Sequence, residues 1–187
     1  MSSGAHAPTR VLVLHSAGLQ SPGEGSSDLV DSLRASLGSA FAVDFPIMPT
    51  PDDPTYEAWK GEIVRLLDAA PGPVLVVGHS LGASVVLKLL VEGPTDADIR
   101  ALFLVATPYW GNELEEFVLP TDFARRLPAG LPIFLYQARD DDVVPADHLD
   151  RYARELPDAE MRRVDRGGHV FSGGLPELVA DIRAVVD

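Results

Sequence analysis

The chain has 187 residues, 46% hydrophobic and 23% charged, enough for one domain with its own core. Twenty-eight acidic residues against fifteen basic ones leave a net charge of −13, which repels phosphate backbones and argues against nucleic-acid binding. Cysteine is absent, which excludes disulfide scaffolds, thiolate metal sites and a cysteine nucleophile, and fits a reducing compartment.

Residues 1–9 hold no apolar run and read as a disordered leader, not a signal peptide. No stretch reaches the ~20 apolar residues that a membrane helix needs, so the cytoplasm is the expected location. A single domain is expected over 10–187. It opens with the apolar run 10–14 (RVLVL), a strand that ends at His15. Helical spacing follows over 27–37, with Leu29, Leu33 and Leu37 on one face. The run 41–45 (FAVDF) is the second strand. A helix over 54–67 begins with Asp53 as cap and Pro54 in its first turn, and carries Trp59, Ile63, Leu66 and Leu67. The third strand, 73–77 (PVLVV), leads into a helix over 81–91, and 101–105 (ALFLV) and 133–136 (IFLY) are the next two strands. A helix over 147–156 precedes the alternating run 160–164 (EMRRV), which suits an edge strand, and a helix over 175–186 closes the domain.

Strands that are apolar on both faces, alternating with helices, imply a parallel sheet wound on both sides with right-handed crossovers. The expected architecture is a three-layer α/β/α sandwich with a mainly parallel sheet of about six strands. Ligands then bind beyond the carboxyl ends of the strands. The stretch 107–132 breaks the rhythm, because loops beyond ~12–15 residues are usually lids or binding loops. It carries Tyr109, Trp110, Phe117, Leu119 and Phe123, with a short helix expected near 114–118. These aromatics either plug a gap over the sheet or line an apolar pocket at the strand ends.

Chemistry concentrates at Gly78-His79-Ser80-Leu81-Gly82, a G-x-S-x-G between a buried strand and a helix. A serine on so sharp a turn projects its Oγ above the sheet, and the Leu81 amide at the helix start faces the place where an oxyanion would form. An inert serine on a strand-to-helix turn is the plainer alternative, and Ser84, one turn on, reads as helix packing. A serine hydroxyl needs a base. Of the five histidines, His6 lies in the leader, His79 points away from the turn, His148 opens a surface helix and His15 suits loop packing. His169, in the glycine-rich segment Arg166-Gly167-Gly168-His169 after the last strand, is the expected base. Asp140, Asp141 and Asp142 follow the fifth strand and precede His169, giving the order Ser…Asp…His. Asp141 is preferred as the residue that orients the imidazole, with Asp140 as runner-up and Asp142 facing away.

These motifs resemble the α/β-hydrolases, and within them the small capless serine hydrolases of the YdeN and retinoblastoma-binding-protein type. The resemblance runs from Val11 to Val186. Besides GHSLG, His15-Ser16-Ala17-Gly18 is similar to the family's H-G-x-G oxyanion loop. Phe45-Pro46-Ile47-Met48-Pro49, followed by the segment 52–59 ending at Trp59, is similar to the subgroup's P-x-M-P…W stretch. Ala138-Arg139-Asp140-Asp141 with Val143-Val144-Pro145 matches G-x-x-D-x-x-V-P, and Gly168-His169 matches the G-H before the last helix. The resemblance implies a compact α/β-hydrolase fold without the N-terminal hairpin or a cap domain. It places the acid at Asp141 and adds to the Leu81 amide a second oxyanion donor, the Ala17 amide, with that of Ser16 as the lesser candidate. Ser16 departs from the glycine usual there, and Ala138 from another. The L-x-C-x-E element of the retinoblastoma-binding member cannot exist without cysteine, so that partner does not carry over.

The implied activity is that of a serine hydrolase, a carboxylesterase cleaving small acyl esters through Ser80, His169 and Asp141, with no metal or cofactor. His15, Ser16, Tyr109, Trp110, Phe117 and Phe123 are the expected pocket residues. The expected partner is a small-molecule ester, with no nucleic acid or membrane, and the chain a monomer or homodimer. Alternatives are a thioesterase, a lactonase or another acyl or C–C hydrolase on the same residues. A catalytically weak binding protein using the aromatic loop is the remaining one, favoured only by Ser16.

Overall fold

The computed structural model describes residues 7–93 and 95–187, with the side chains of 112 and 113 excepted. His6 and most of the expected leader lie outside the described residues. Six strands form one sheet: β1 (Thr9–Leu14), β2 (Phe41–Asp44), β3 (Val74–His79), β4 (Ile99–Val105), β5 (Ile133–Ala138) and β6 (Glu160–Val164). Their order is β2-β1-β3-β4-β5-β6 and every pairing is parallel. Five helices connect or follow them: α1 (Ser27–Leu37), α2 (Tyr56–Asp68), α3 (Leu81–Glu92), α4 (His148–Glu155) and α5 (Pro176–Val186). No helix among the described residues is long and apolar enough to cross a membrane.

Alternation along the strands divides the core in two. Leu12, Leu14, Val76, Leu102, Leu104 and Leu135 face α2, α3 and α4, while Val11, Val13, Leu75, Val77, Phe103 and Tyr136 face α1 and α5. The period-two pattern is thus buried on both sides, as parallel strands require. α3 is apolar nearly all round because it lies beneath the 107–132 segment as well as on the sheet.

Several boundaries differ from those expected of the sequence by one or two residues, and three of them have a clear local reason. Thr9 belongs to β1, paired with Phe41, not to the leader. The cap of α2 is Thr55, whose hydroxyl accepts from the Ala58 amide, because Asp53 is engaged in a turn with Thr50 and precedes a proline, which disfavours helical backbone. β3 continues to His79 because Gly78 and His79 still pair with Leu104 and Val105. In the 107–132 segment the single expected helix is two 3₁₀ turns, Asn112–Phe117 and Phe123–Arg126.

This strand order has its switch point between β1 and β3: the chain leaves β1 toward β2 and leaves β3 toward β4, on the other side. The two departing loops open a crevice there, the position where parallel α/β sheets bind ligands.

Candidate active site

Ser80 is the residue between β3 and α3, at φ 51° and ψ −112°. Holding a non-glycine residue in that region costs on the order of 1–3 kcal/mol, and the surrounding hydrogen bonds impose it. The Ser80 amide donates to the Val105 carbonyl, and its own carbonyl accepts from the Ser84 amide. Close packing demands the flanking glycines. A Cβ on Gly78 would collide with the backbone of Ala83, and one on Gly82 with the carbonyls of Leu14 and His15.

Ser80 Oγ lies 3.0 Å from His169 Nε2. On the other side of the ring, Nδ1 lies 3.1 and 3.2 Å from the two oxygens of Asp141. An ionised carboxylate only accepts, so Nδ1 carries the proton and Nε2 is free to accept from the serine hydroxyl. The Asp141 side chain is fully buried. Its Oδ1 also accepts from the amides of Val143 and Val144, and its Oδ2 from the Gln137 amide group. Burial opposes ionisation of Asp141, yet the hydrogen bonds from His169, Val144 and Val143 prevail and hold its pKa below the usual carboxylate value. Asp140 works on the backbone instead. Its Oδ1 accepts from the amides of Gly167 and Gly168, which pins the loop that carries His169.

The amide of Ala17 donates to no protein acceptor among the described residues, and that of Leu81, first in α3, precedes the reach of intrahelical bonding. Ser16 is turned away, because its amide donates to Ser26 Oγ at 2.9 Å. From there a buried chain of hydrogen bonds crosses the molecule. Ser26 Oγ–H donates to His79 Nδ1 at 2.7 Å, and His79 Nε2–H donates to the His169 carbonyl at 2.8 Å. The direction is set by its end, since a carbonyl only accepts. Ser16, Ser26 and His79 thereby tie the loop after β1 to the loop after β6.

His79 is fully buried, and burial, with the neighbouring His169 adding to it, lowers its pKa from 6.5 to about 4. Between those values the unfolded chain binds a proton that the folded one refuses, so stability falls as pH drops from 6.5 toward 4. The loss reaches up to roughly 3 kcal/mol and adds nothing below that window. Chemical denaturation at pH 7, 5.5 and 4.5 should show the midpoint falling. An unchanged midpoint would mean that His79 titrates normally.

Of the expected pocket residues, Tyr109, Trp110 and Phe117 line a small space, while His15, Ser16 and Phe123 are packed into the fold. His15 is buried, with Nδ1–H donating to the Ser16 carbonyl, Nε2 accepting from the Met48 amide at 2.8 Å, and its ring against Trp59 and Phe45. Ser16 is buried by the bonds just described. Phe117 and Phe123 are core, packed on Tyr56 and Tyr152. Tyr109 and Trp110 are half-buried, Trp110 donating from Nε1 to Ser84 Oγ at 2.9 Å and Tyr109 donating its amide to His148 Nδ1. The space left between Ser84, Tyr109, Trp110, Phe117, Leu119 and Tyr152 is about 20 Å³. These aromatics fill the gap over the sheet.

Three contributors are not apparent from the sequence reasoning above. Ser26 carries no signal in its neighbourhood, and neither does the anchoring role of Asp140. Gln137 does: it is a polar side chain near the end of an otherwise apolar strand, three residues before the acidic run that starts at Asp140. Among the described residues no group of three or more His, Cys, Asp or Glu side chains is arranged to hold a metal ion.

The sequence model of a family described as serine hydrolase matches residues 31–174. Among solved structures, the chain is similar to the ydeN gene product of B. subtilis, with a TM-score of 0.79 at 21% identity, over 95% of this chain and 98% of that one. A serine hydrolase involved in carbazole degradation, the CarC enzyme, matches with a TM-score of 0.74 at 15% identity, over 97% and 92% of the two chains. Est1E from Butyrivibrio proteoclasticus matches with a TM-score of 0.74 at 12% identity, over 98% and 90%. At these identities the likeness shows a shared α/β-hydrolase fold. No curated protein sequence matches the chain.

Proposed function

Because this chain belongs to the serine hydrolase family, we propose that it is a carboxylesterase of small acyl esters, with Ser80 as nucleophile, His169 as base and Asp141 as the group that orients it. The observation that carries this reading is the relay from Ser80 Oγ through both nitrogens of His169 to a buried carboxylate, at the carboxyl end of a parallel sheet. Ser80 Oγ attacks the ester carbonyl carbon while its proton passes to His169 Nε2. Asp141 stabilises the resulting imidazolium. The carbonyl oxygen takes up the negative charge against the Leu81 and Ala17 amides, each worth ~3–4 kcal/mol in a preorganised site. As the tetrahedral centre collapses, the C–O bond breaks and His169 returns the proton to the departing alcohol. Water then repeats the sequence on the acyl-serine and releases the acid and the free hydroxyl.

Ser16, the one feature favouring a non-catalytic reading, sits outside this scheme, since its amide is engaged by Ser26 and the next amide along is the donor. The proposed partner is a small molecule, and the proposed compartment the cytoplasm, on the lack of cysteine.

Incubation with a fluorophosphonate probe, with the modified residue read by mass spectrometry, tests the nucleophile directly. Labelling at Ser80 that vanishes in Ser80→Ala is the expected result. A folded protein that takes no label would overturn the proposal.

A further inference from the structure

The esterase mechanism proposed above, on which this inference rests, requires the Ala17 amide to be held in one direction before the substrate arrives. A preorganised donor does not have to turn at the moment of reaction. Ala17 is exposed, and its methyl group fixes nothing. Sheet register brings its loop to the nucleophile. Leu14 pairs with Gly78 on the neighbouring strand, and just beyond, the His15 carbonyl accepts from the Gly82 amide at 3.1 Å. Ala17 and Ser80 each stand two residues from that bond.

The backbone groups that flank the Ala17 N–H are engaged. The Ser16 amide donates to Ser26 Oγ, and the Gly18 amide to the Pro51 carbonyl at 2.7 Å. The Ser16 carbonyl accepts from His15 Nδ1–H and, at 3.1 Å, from Gln20 Nε2. The same Gln20 nitrogen donates to the Gly18 carbonyl at 2.8 Å, and Gln20 Oε1 accepts from the Ser26 amide at 2.7 Å. One side-chain amide thus uses both of its hydrogens and its oxygen on this loop. The Ser16 carbonyl and the Ala17 N–H are the two ends of one trans peptide and point in opposite directions. Fixing the carbonyl on His15 and Gln20 therefore turns the N–H away from them.

Gly25 keeps the place of the Gln20 amide open. At φ 56° it passes so close that a Cβ there would collide with Nε2, Oε1 and Cδ of Gln20. Those atoms end a flexible side chain, so they would be pushed off their partners. We infer that Gln20 is the positioning residue of the oxyanion site, clamping the carbonyls of Ser16 and Gly18 and so aiming the Ala17 amide.

Gln20→Glu keeps the shape and the acceptor for Ser26 but has no hydrogen for the two carbonyls. Its kcat/KM for methyl acetate should fall on the order of 100-fold, through kcat. 1,1,1-Trifluoroacetone supplies a second readout. Ser80 Oγ adds to its carbonyl carbon, the proton passes to His169, and the ketone oxygen becomes the oxyanion. Its inhibition constant should rise by about the same factor, while the pH midpoint of kcat/KM stays in place, since Gln20 touches neither His169 nor Asp141. Gln20→Ala, which adds no charge, gives the same reading if Gln20→Glu does not fold. Gly25→Ala should also lose rate, yet cost nothing further when added to Gln20→Ala, because no amide is left to displace.

Unchanged kinetics in both Gln20 variants would overturn the inference and leave the esterase reading standing. So would a lost rate with trifluoroacetone binding unchanged or the pH midpoint displaced, since the damage would then lie outside the oxyanion site. Losses at Gln20 and Gly25 that multiply would mean separate actions and would also overturn it. If the unmodified protein hydrolyses no ester and takes no fluorophosphonate label, the esterase reading fails and this inference with it.

Discussion

Ser80→Ala should lose ester hydrolysis by up to ~10⁶-fold while the protein melts where the unmodified chain does. The substitution deletes one atom and nothing else of structural use. Ser80 Oγ bonds only to His169, whereas the turn is held by backbone groups that alanine keeps, the amide on Val105 and the carbonyl on Ser84. Alanine also keeps the Cβ, so the strain at φ 51° is the same in both proteins. Initial rates and a thermal melt on the same preparation check both halves. Retained turnover in a folded variant would remove Ser80 from the mechanism.

Asp141→Asn should cost ~10⁴-fold in kcat, the scale seen when an asparagine presents the wrong hydrogen-bonding partner to a catalytic histidine. The reason lies in the donor count. The Asp141 carboxylate accepts from Val143, Val144, Gln137 and His169 at once. If the asparagine oxygen keeps the two backbone amides, its NH₂ group confronts both Gln137 and His169 Nδ1. The imidazole escapes by moving its proton to Nε2, and then it cannot accept from Ser80. Asp140→Asn is the control, because its oxygen can still accept from Gly167 and Gly168 and its loss should be small. Equal small losses in the two variants would mean that neither acid orients the base.

The alternation of apolar runs and helical stripes carried most of the fold, because the parallel sheet is buried on both faces and that burial writes itself into each strand independently. The site was legible to the same extent that it is local. Gly78 and Gly82 flank Ser80 because the turn leaves no room for a Cβ, a constraint contained within a few residues. Ser80, Asp141 and His169 each follow a strand, so their order along the chain already places them at one end of the sheet.

What tertiary structure alone decided is everything that depends on distant partners or on leftover volume. Asp140 and Asp141 are adjacent and chemically identical, and only the loop brought against them makes one an anchor for Gly167 and Gly168 and the other a partner of His169. Ser16 meets Ser26, and Ser26 meets His79 from a different strand's loop, a contact that no local pattern encodes. The aromatics of the 107–132 segment could fill or line a space with equal composition. They fill it, because α3 and α4 leave only about 20 Å³ beside them. Sequence determined which segments form strands and helices and which residue types reach the end of the sheet, since periodicity and turn chemistry act over a few residues. Strand order and packing determined which of those residues touch, since hydrogen bonds and close contacts are made across the fold.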